Sequence, residues 1–312
     1  MPDEDCVRAE TIERLQAIIR FDTTNPPGNE LPLALYLEGA LKGDGIDTTI
    51  LVPEKNRAQL IGRIRGNGNE RPVILLAHMD VVGVQRTSWT HDPFAGEIDG
   101  GYLYGRGAID DKGMLAANLM TMLLLKRELA RTGEALSRDV VFVATCDEES
   151  GGEVGMGWLV ENHPDLLDAE YALNEGGRTR IIDQGRCYLA VQAAEKISHV
   201  VRVTAHGSAG HAAVPLPDNA IDRLGRAIAQ LGTHVEPLVL TEITRQFFAR
   251  LSDIWPNEIE RTAMLDLVDA NHIRSADGGK ILSHTPVFNA VLRNGISPTV
   301  IEGGKQFNVI PD

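Results

Sequence analysis

Cysteine is scarce in this chain, with Cys6, Cys146 and Cys187 the only three in 312 residues. Their scattered positions, without CxxC spacing, argue against both a disulfide framework and a thiolate zinc site. Buried or inert thiols are the expectation, because free cysteine is commonly buried. Basic charge is short as well: 30 Lys and Arg against 44 Asp and Glu give a formal net charge of -14. Nonspecific attraction to nucleic acid or to an anionic membrane is therefore not expected. The longest apolar runs are strand-sized or belong to amphipathic helices, too short to span a bilayer. The opening Met1-Pro2-Asp3-Glu4-Asp5-Cys6 has neither a basic n-region nor an apolar h-region, and a cytoplasmic protein is expected. A strand-linked GxGxxG and a P-loop are both missing, which leaves a nucleotide-binding α/β protein a remote option.

What is present is an alternation of helix and strand patterns. Ile12, Leu15, Ile18 and Ile19 have helical spacing within Val7 to Arg20, and Asn25-Pro26-Pro27-Gly28 breaks the pattern. A second helix is predicted over Glu30 to Lys42, then strands over Asp47 to Val52, Ala58 to Arg65 and Pro72 to Ala77. Val73-Ile74-Leu75-Leu76-Ala77 is an unbroken apolar run of the kind found in strands buried on both faces. A helix from about Lys112 to Ala130, a strand over Asp139 to Thr145, a helix around Gly155 to Asn162 and a short strand at Tyr171 to Leu173 follow. This order predicts an α/β layer structure with a mainly parallel sheet flanked by helices. Near residue 194 the character changes, which places a boundary between domains 1–194 and 195–312. The second domain reads as an alternating strand at Ile197 to Ala205 and a helix over about Asn219 to Leu231. A partly helical insertion over 232–284 and strands at Val287 to Arg293 and Thr299 to Ile301 complete it. No internal repeat or low-complexity tract is visible.

Chemistry-bearing residues gather at predicted strand ends. His78 and Asp80 are two apart after the third strand, so extended backbone directs both side chains to one face. The pair suits a metal-ligating histidine oriented by a carboxylate, although His-x-Asp alone is more often a loop histidine beside a solvated aspartate. Asp110 ends the glycine-flanked Tyr104-Gly105-Arg106-Gly107-Ala108-Ile109 loop. A helix N-cap is the competing role there, and Asp111 fits that cap better. Glu148-Glu149 close a buried strand, where one acid can bind metal while its neighbour removes a proton from water. Solvated surface acids explain the pair equally well in isolation. Glu175, in Asn174-Glu175-Gly176-Gly177, reads alone as a turn residue. Together these groups would converge on the sheet edge where α/β proteins bind ligands.

The series Ala77-His78-Met79-Asp80-Val81-Val82, Tyr104 to Gly113, Asp147-Glu148-Glu149-Ser150-Gly151-Gly152 and Asn174-Glu175-Gly176-Gly177 resembles peptidase family M20. This is the metallopeptidase family of aminoacylase, acetylornithine deacetylase, succinyl-diaminopimelate desuccinylase and carboxypeptidase G. The resemblance implies a zinc-hydrolase α/β domain carrying a smaller α+β lid or dimerisation domain, a two-layer sandwich. It implies two zinc ions, with cobalt or manganese able to use the same donors. His78 and Glu175 would bind one ion and Glu149 the other, with Asp110 bridging them. Asp80 would orient His78, and Glu148 would be the general base that takes a proton from the bridging water and passes it to the leaving amine. His206-Gly207-Ser208-Ala209-Gly210-His211 resembles the lid segment whose histidine reaches a partner subunit's active site. His211 would there stabilise the tetrahedral oxyanion, and Asn308 would contact substrate. The implied reaction is amide hydrolysis of a short peptide or N-acyl amino acid by a homodimer.

One departure stands out. The family's sheet domain resumes after the lid and brings a C-terminal histidine to the second zinc, whereas this sequence stops at Asp312 inside the lid. His234, His272 and His284 lie in the lid or its insertion and do not replace that ligand. The expectation is an N-terminal fragment of a longer hydrolase, both domains being incomplete and a sheet edge exposed. A native reading frame ending at residue 312, with amide hydrolysis at rates typical of the family, would overturn it. A chain that only dimerises or binds ligand through a degraded site is the alternative. The retention of two adjacent acids counts against it.

Overall fold

The computed structural model describes residues 3–183, 185–269 and 275–312. The chain divides into two compact units, Met1–Glu175 and Gly176–Asp312, each with its own apolar core.

In the first unit the N-terminal periodicity forms α1 (Glu4–Ile19), with Ile18 and Ile19 buried. Asn25-Pro26-Pro27 prevents continuation, because proline lacks the donor and restricts the residue before it. α2 (Leu31–Gly43) has proline in its first turn, where the missing N–H would have no intrahelical partner anyway. Its buried face is Leu33, Ala34, Leu37 and Leu41. β1 (Asp47–Leu51), β2 (Gln59–Ile64) and β3 (Val73–His78) follow. A hairpin of β4 (Glu97–Asp99) and β5 (Tyr102–Tyr104) comes next, which the sequence reading did not anticipate. α3 (Lys112–Thr132) ends at Gly133, whose φ of 72° is the left-handed cap. β6 (Val140–Thr145), α4 (Trp158–Asn162) and β7 (Tyr171–Leu173) complete the unit.

The sheet order is β1-β2-β6-β3-β7. β3 is parallel to β6 and β7, while β2 is antiparallel to β1 and β6. Only β2 is therefore reversed, and β3, β6 and β7 end at the same edge. The unbroken apolar runs have a direct cause, since both faces are covered. Leu60, Leu75, Ala77, Phe142 and Ala144 pack with α2 and α3 residues such as Leu37, Leu41, Leu115 and Leu119. The alternate residues Ile61, Ile74, Val141 and Val143 pack with Leu159 on the other face. Gly62 is small because α2 crosses there; a methyl group at this position would lie 2.9 Å from Leu41 Cδ1. β7 lies at the end of the strand order, with Tyr171 and Leu173 exposed.

The second unit contains β8 (Arg178–Asp183) paired antiparallel with β9 (Arg186–Ala190), and a two-residue ladder of β10 (Gly210–His211) with β11 (Val309–Ile310). Its helices are α5 (Ala220–Thr233), α6 (Glu242–Ser252), α7 (Glu258–Val268), α8 (Ser275–Leu282) and α9 (Pro286–Leu292). Phe248, Leu251, Met264, Leu267, Leu282, Phe288 and Leu292 form its core. Three expectations are corrected here. Val287 to Arg293 is not a strand, because Pro286 opens a helix that buries Phe288 and Leu292, four residues apart, on one side. Ile197 to Ala205 and Thr299 to Ile301 form no strands. Among the described residues neither segment has a ladder partner, and Ile197, Val200, Val201, Val300 and Ile301 are exposed.

Phe142 is fully buried in the centre of the sheet. Phe142→Ala is expected to destabilise the first unit by about 3–5 kcal/mol, read from urea denaturation. A loss below about 1 kcal/mol would contradict the packing described for it.

Candidate metal centre

The ends of β3, β6 and β7 bring His78, Glu148, Glu149 and Glu175 to one place in the first unit, and the loop before α3 brings Asp110 there. His78, the last residue of β3, is 3% exposed, and Asp80 is 0% exposed. His78 Nδ1 lies 3.0 Å from the Asp80 carbonyl oxygen and 3.4 Å from Asp80 Oδ1. Its other nitrogen, Nε2, lies 3.0 Å from Asp110 Oδ1, 3.6 Å from Glu175 Oε1 and 4.0 Å from Glu148 Oε2. The Asp80 carboxylate also accepts the backbone N–H groups of Glu148 and Glu149, both at 3.1 Å. One buried carboxylate thus holds the β3 loop and the turn after β6 together. That turn is a single 3-10 turn, Glu148–Ser150, entered through Asp147 at φ 72°.

Two groups of donors are close enough to share a cation. Ligand atoms of His78, Asp110 and Glu175 lie within 4.8 Å of one another, as do those of His78, Glu148 and Glu149. Glu149 is therefore grouped with His78 and Glu148, while Asp110 belongs to the first group among the described residues. His211 and Asn308 lie in the second unit, where His211 pairs with Val309 and the Ala212 N–H donates to the Asn308 carbonyl at 3.0 Å. His234, 2.7 Å from Glu236, and His284 are also in that unit. His272 lies outside the described residues.

Electrostatics mark the first unit's site as under-neutralised. Burial raises the Glu149 and Glu175 carboxyls, and the Asp110 charge adds to the effect on both, against the pull of His78. Burial pushes Asp111 up to about 7 despite the His78 charge. Burial opposes the charged His78 ring, yet its contacts with Asp80, reinforced by Asp111 and Asp110, raise it to about 10. A ring nitrogen among crowded carboxylate oxygens is a donor set that fits a divalent cation such as zinc, and a cation there would relieve the repulsion that raises these groups.

Some residues departed from expectation or were missed. Asp111 occupies the N-cap position of α3, but its side chain makes no capping bond and Oδ2 has no hydrogen-bond partner. Cys146 is buried and its thiol pushed up to about 12 by burial, whereas Cys6 and Cys187 are exposed. Asn25 bonded to Asp80, Asp147 bonded to Asn25 and Arg57 bonded to Asp147, all three buried, gave no sequence signal of their own. Asn25 was hidden in a run that reads only as a chain breaker.

The His78 shift fixes a sign. A ring that binds its proton more tightly when folded adds stability that is full below pH 6.5 and is lost as pH rises towards about 10. Glu30 and Asp111, both raised to about 7, act in the same direction up to that pH. Lys112, lowered to about 8 by burial, opposes the trend only at higher pH. In EDTA the chain is expected to lose up to about 2 kcal/mol between about pH 6.5 and 8, with a shallower slope in His78→Asn. A flat profile for the unsubstituted chain in denaturant titrations would contradict the assigned proton.

The profile of Peptidase family M20/M25/M40 matches residues 74–253. A probable succinyl-diaminopimelate desuccinylase of Staphylococcus aureus is 29% identical over 306 residues, covering 97% of this chain and 66% of that protein. The chain thus spans just under two thirds of the length of that relative. Among solved structures, an M20 family metallo-carboxypeptidase from Sulfolobus solfataricus has a TM-score of 0.59 at 20% identity, covering 97% of this chain and 68% of that one. Human carnosine dipeptidase 1 has a TM-score of 0.58 at 16% identity, covering 98% and 68%. At these identities the two structures speak for the fold alone. With more than half of its length matched by one family profile, the chain belongs to peptidase family M20/M25/M40.

Proposed function

We propose that this chain carries the catalytic site of a two-metal amidohydrolase that cleaves a short peptide or an N-acyl amino acid. The observation that carries the reading is the convergence of His78, Asp110 and Glu175 donor atoms within 4.8 Å at one sheet edge. In this proposal His78 and Glu175 would hold one ion and Glu149 the other, with Asp110 a donor available to them. Zinc is the favoured ion, with cobalt or manganese as possible occupants of the same donors. When bound, the metal pair would bring the pKa of a water towards neutrality and polarise the amide carbonyl.

The remaining work falls to side chains of this chain. The Glu148 side chain is 52% exposed and is held by its backbone bond to Asp80, so its carboxylate is open to a water and can accept a proton. Returning that proton to the departing amine nitrogen completes the cleavage. In the second unit His211 Nδ1 accepts the Ala213 N–H at 3.1 Å. That bond places the proton of the neutral ring on Nε2 and leaves an N–H donor for the oxyanion of a partner subunit's substrate. The proposal accordingly includes a homodimer joined through a lid domain that begins near residue 194, with Asn308 at the substrate. It also includes a cytoplasmic location. Among the described residues no helix is long and apolar enough to cross a membrane.

Glu148→Gln is expected to lower turnover of N-acyl amino acids or dipeptides about 100- to 10,000-fold, while metal content per chain stays unchanged. Asp110→Asn is expected to lose metal as well as turnover. Turnover unaffected by Glu148→Gln would remove the assigned base.

A further inference from the structure

Asp80 is tied to more than the groups that face the metal centre. Its Oδ2 accepts the Asn25 side-chain amide at 2.8 Å, and the same nitrogen donates to Asp147 Oδ1 at 3.1 Å. Arg57 donates to that Asp147 oxygen at 3.0 Å and to Glu30 Oε2 at 2.8 Å. Asp147 Oδ2 accepts the Val154 N–H at 3.1 Å. All five residues are buried, Arg57 the most exposed at 7%. Backbone bonds lay the same segment along the β3 loop: Asn25 N–H to the Val81 carbonyl at 2.9 Å and Val81 N–H to the Thr23 carbonyl at 3.2 Å. Gly28, at φ 80°, leaves passage for the guanidinium, since a methyl group there would lie 2.4 Å from Arg57 Nε.

Buried ion pairs contribute little stability that well-packed apolar residues could not supply. This array therefore makes most sense through what it holds, and it ends on the carboxylate that holds His78 and the Glu148–Glu149 turn. We infer that Asn25 is a positioning residue for the metal centre: its amide, held in register by Asp147 and Arg57, fixes the Asp80 carboxylate and thereby the His78 ring. The residue type follows from the setting. One uncharged nitrogen with two hydrogens can face two carboxylates at once; an aspartate would repel both, and a leucine would take this donor from both.

The inference rests on the two-metal proposal, and its test separates the two. The full chain with nitrogen-15-labelled histidine is observed by NMR without metal, then titrated with Co2+ alone. Folded Asn25→Leu is expected to shift the His78 ring N–H resonance before any metal is added. It is also expected to bind Co2+ about 10- to 100-fold more weakly, with an altered visible spectrum. Arg57→Lys keeps the charge but loses the two-pronged donation, so a smaller change in the same direction is expected; it decides the matter if Asn25→Leu fails to fold. A folded variant with lower melting temperature but unchanged ring resonance and unchanged Co2+ affinity overturns the inference. Absence of Co2+ binding by the unsubstituted chain overturns the metal proposal instead, and the ring resonance still judges Asn25.

Discussion

The Asp80 carboxylate, fully buried between two strand ends, is the constraint on which the site depends. It accepts the N–H groups of Glu148 and Glu149, contacts the His78 ring and receives the Asn25 amide. A buried anion is tolerated only when its acceptor sites are filled, and here His78 and the Glu148–Glu149 turn fill them together with Asn25. Satisfying Asp80 and assembling the centre are therefore one event. In front of it, Asp110, Glu148 and Glu175 crowd within 4.0 Å of the single ring nitrogen His78 Nε2. Such crowding is unfavourable for a fold with no cation to bind.

The sheet supplies the geometry that makes this possible. β3, β6 and β7 are parallel neighbours, so their C-terminal ends fall at one edge however far apart they lie in sequence. Helices and loops over both faces require apolar residues at consecutive positions. Polarity therefore appears only where each strand stops, which concentrates the chemistry at the edge.

That same physics decided what could be read from sequence. Val73 to Ala77 and Val140 to Thr145 were legible as buried strands because double-sided burial leaves an unbroken apolar run. The candidate ligands were legible through the resemblance of their four motifs taken together, since in isolation Glu148-Glu149 reads equally well as solvated acids and Glu175 as a turn residue. The second unit was harder to read. Val287 to Leu292 has strand-like composition, yet Pro286 and the spacing of Phe288 and Leu292 belong to a helix. Alternation at Ile197 to Ala205 did not produce a strand, since a ladder needs a partner and none of the described residues supplies one. Asn25, Arg57 and Glu30 escaped notice for another reason: their roles come from contacts 27 to 122 residues away in sequence, which no local pattern encodes.

The proposed function requires a divalent cation among His78, Asp110 and Glu175. Anomalous diffraction at the zinc edge, from crystals of the chain grown with Zn2+, tests it most directly. A peak is expected within bonding distance of His78 Nε2 and of carboxylate oxygens of Asp110 and Glu175. Zinc located elsewhere, or no ordered zinc with these side chains in place, would contradict it.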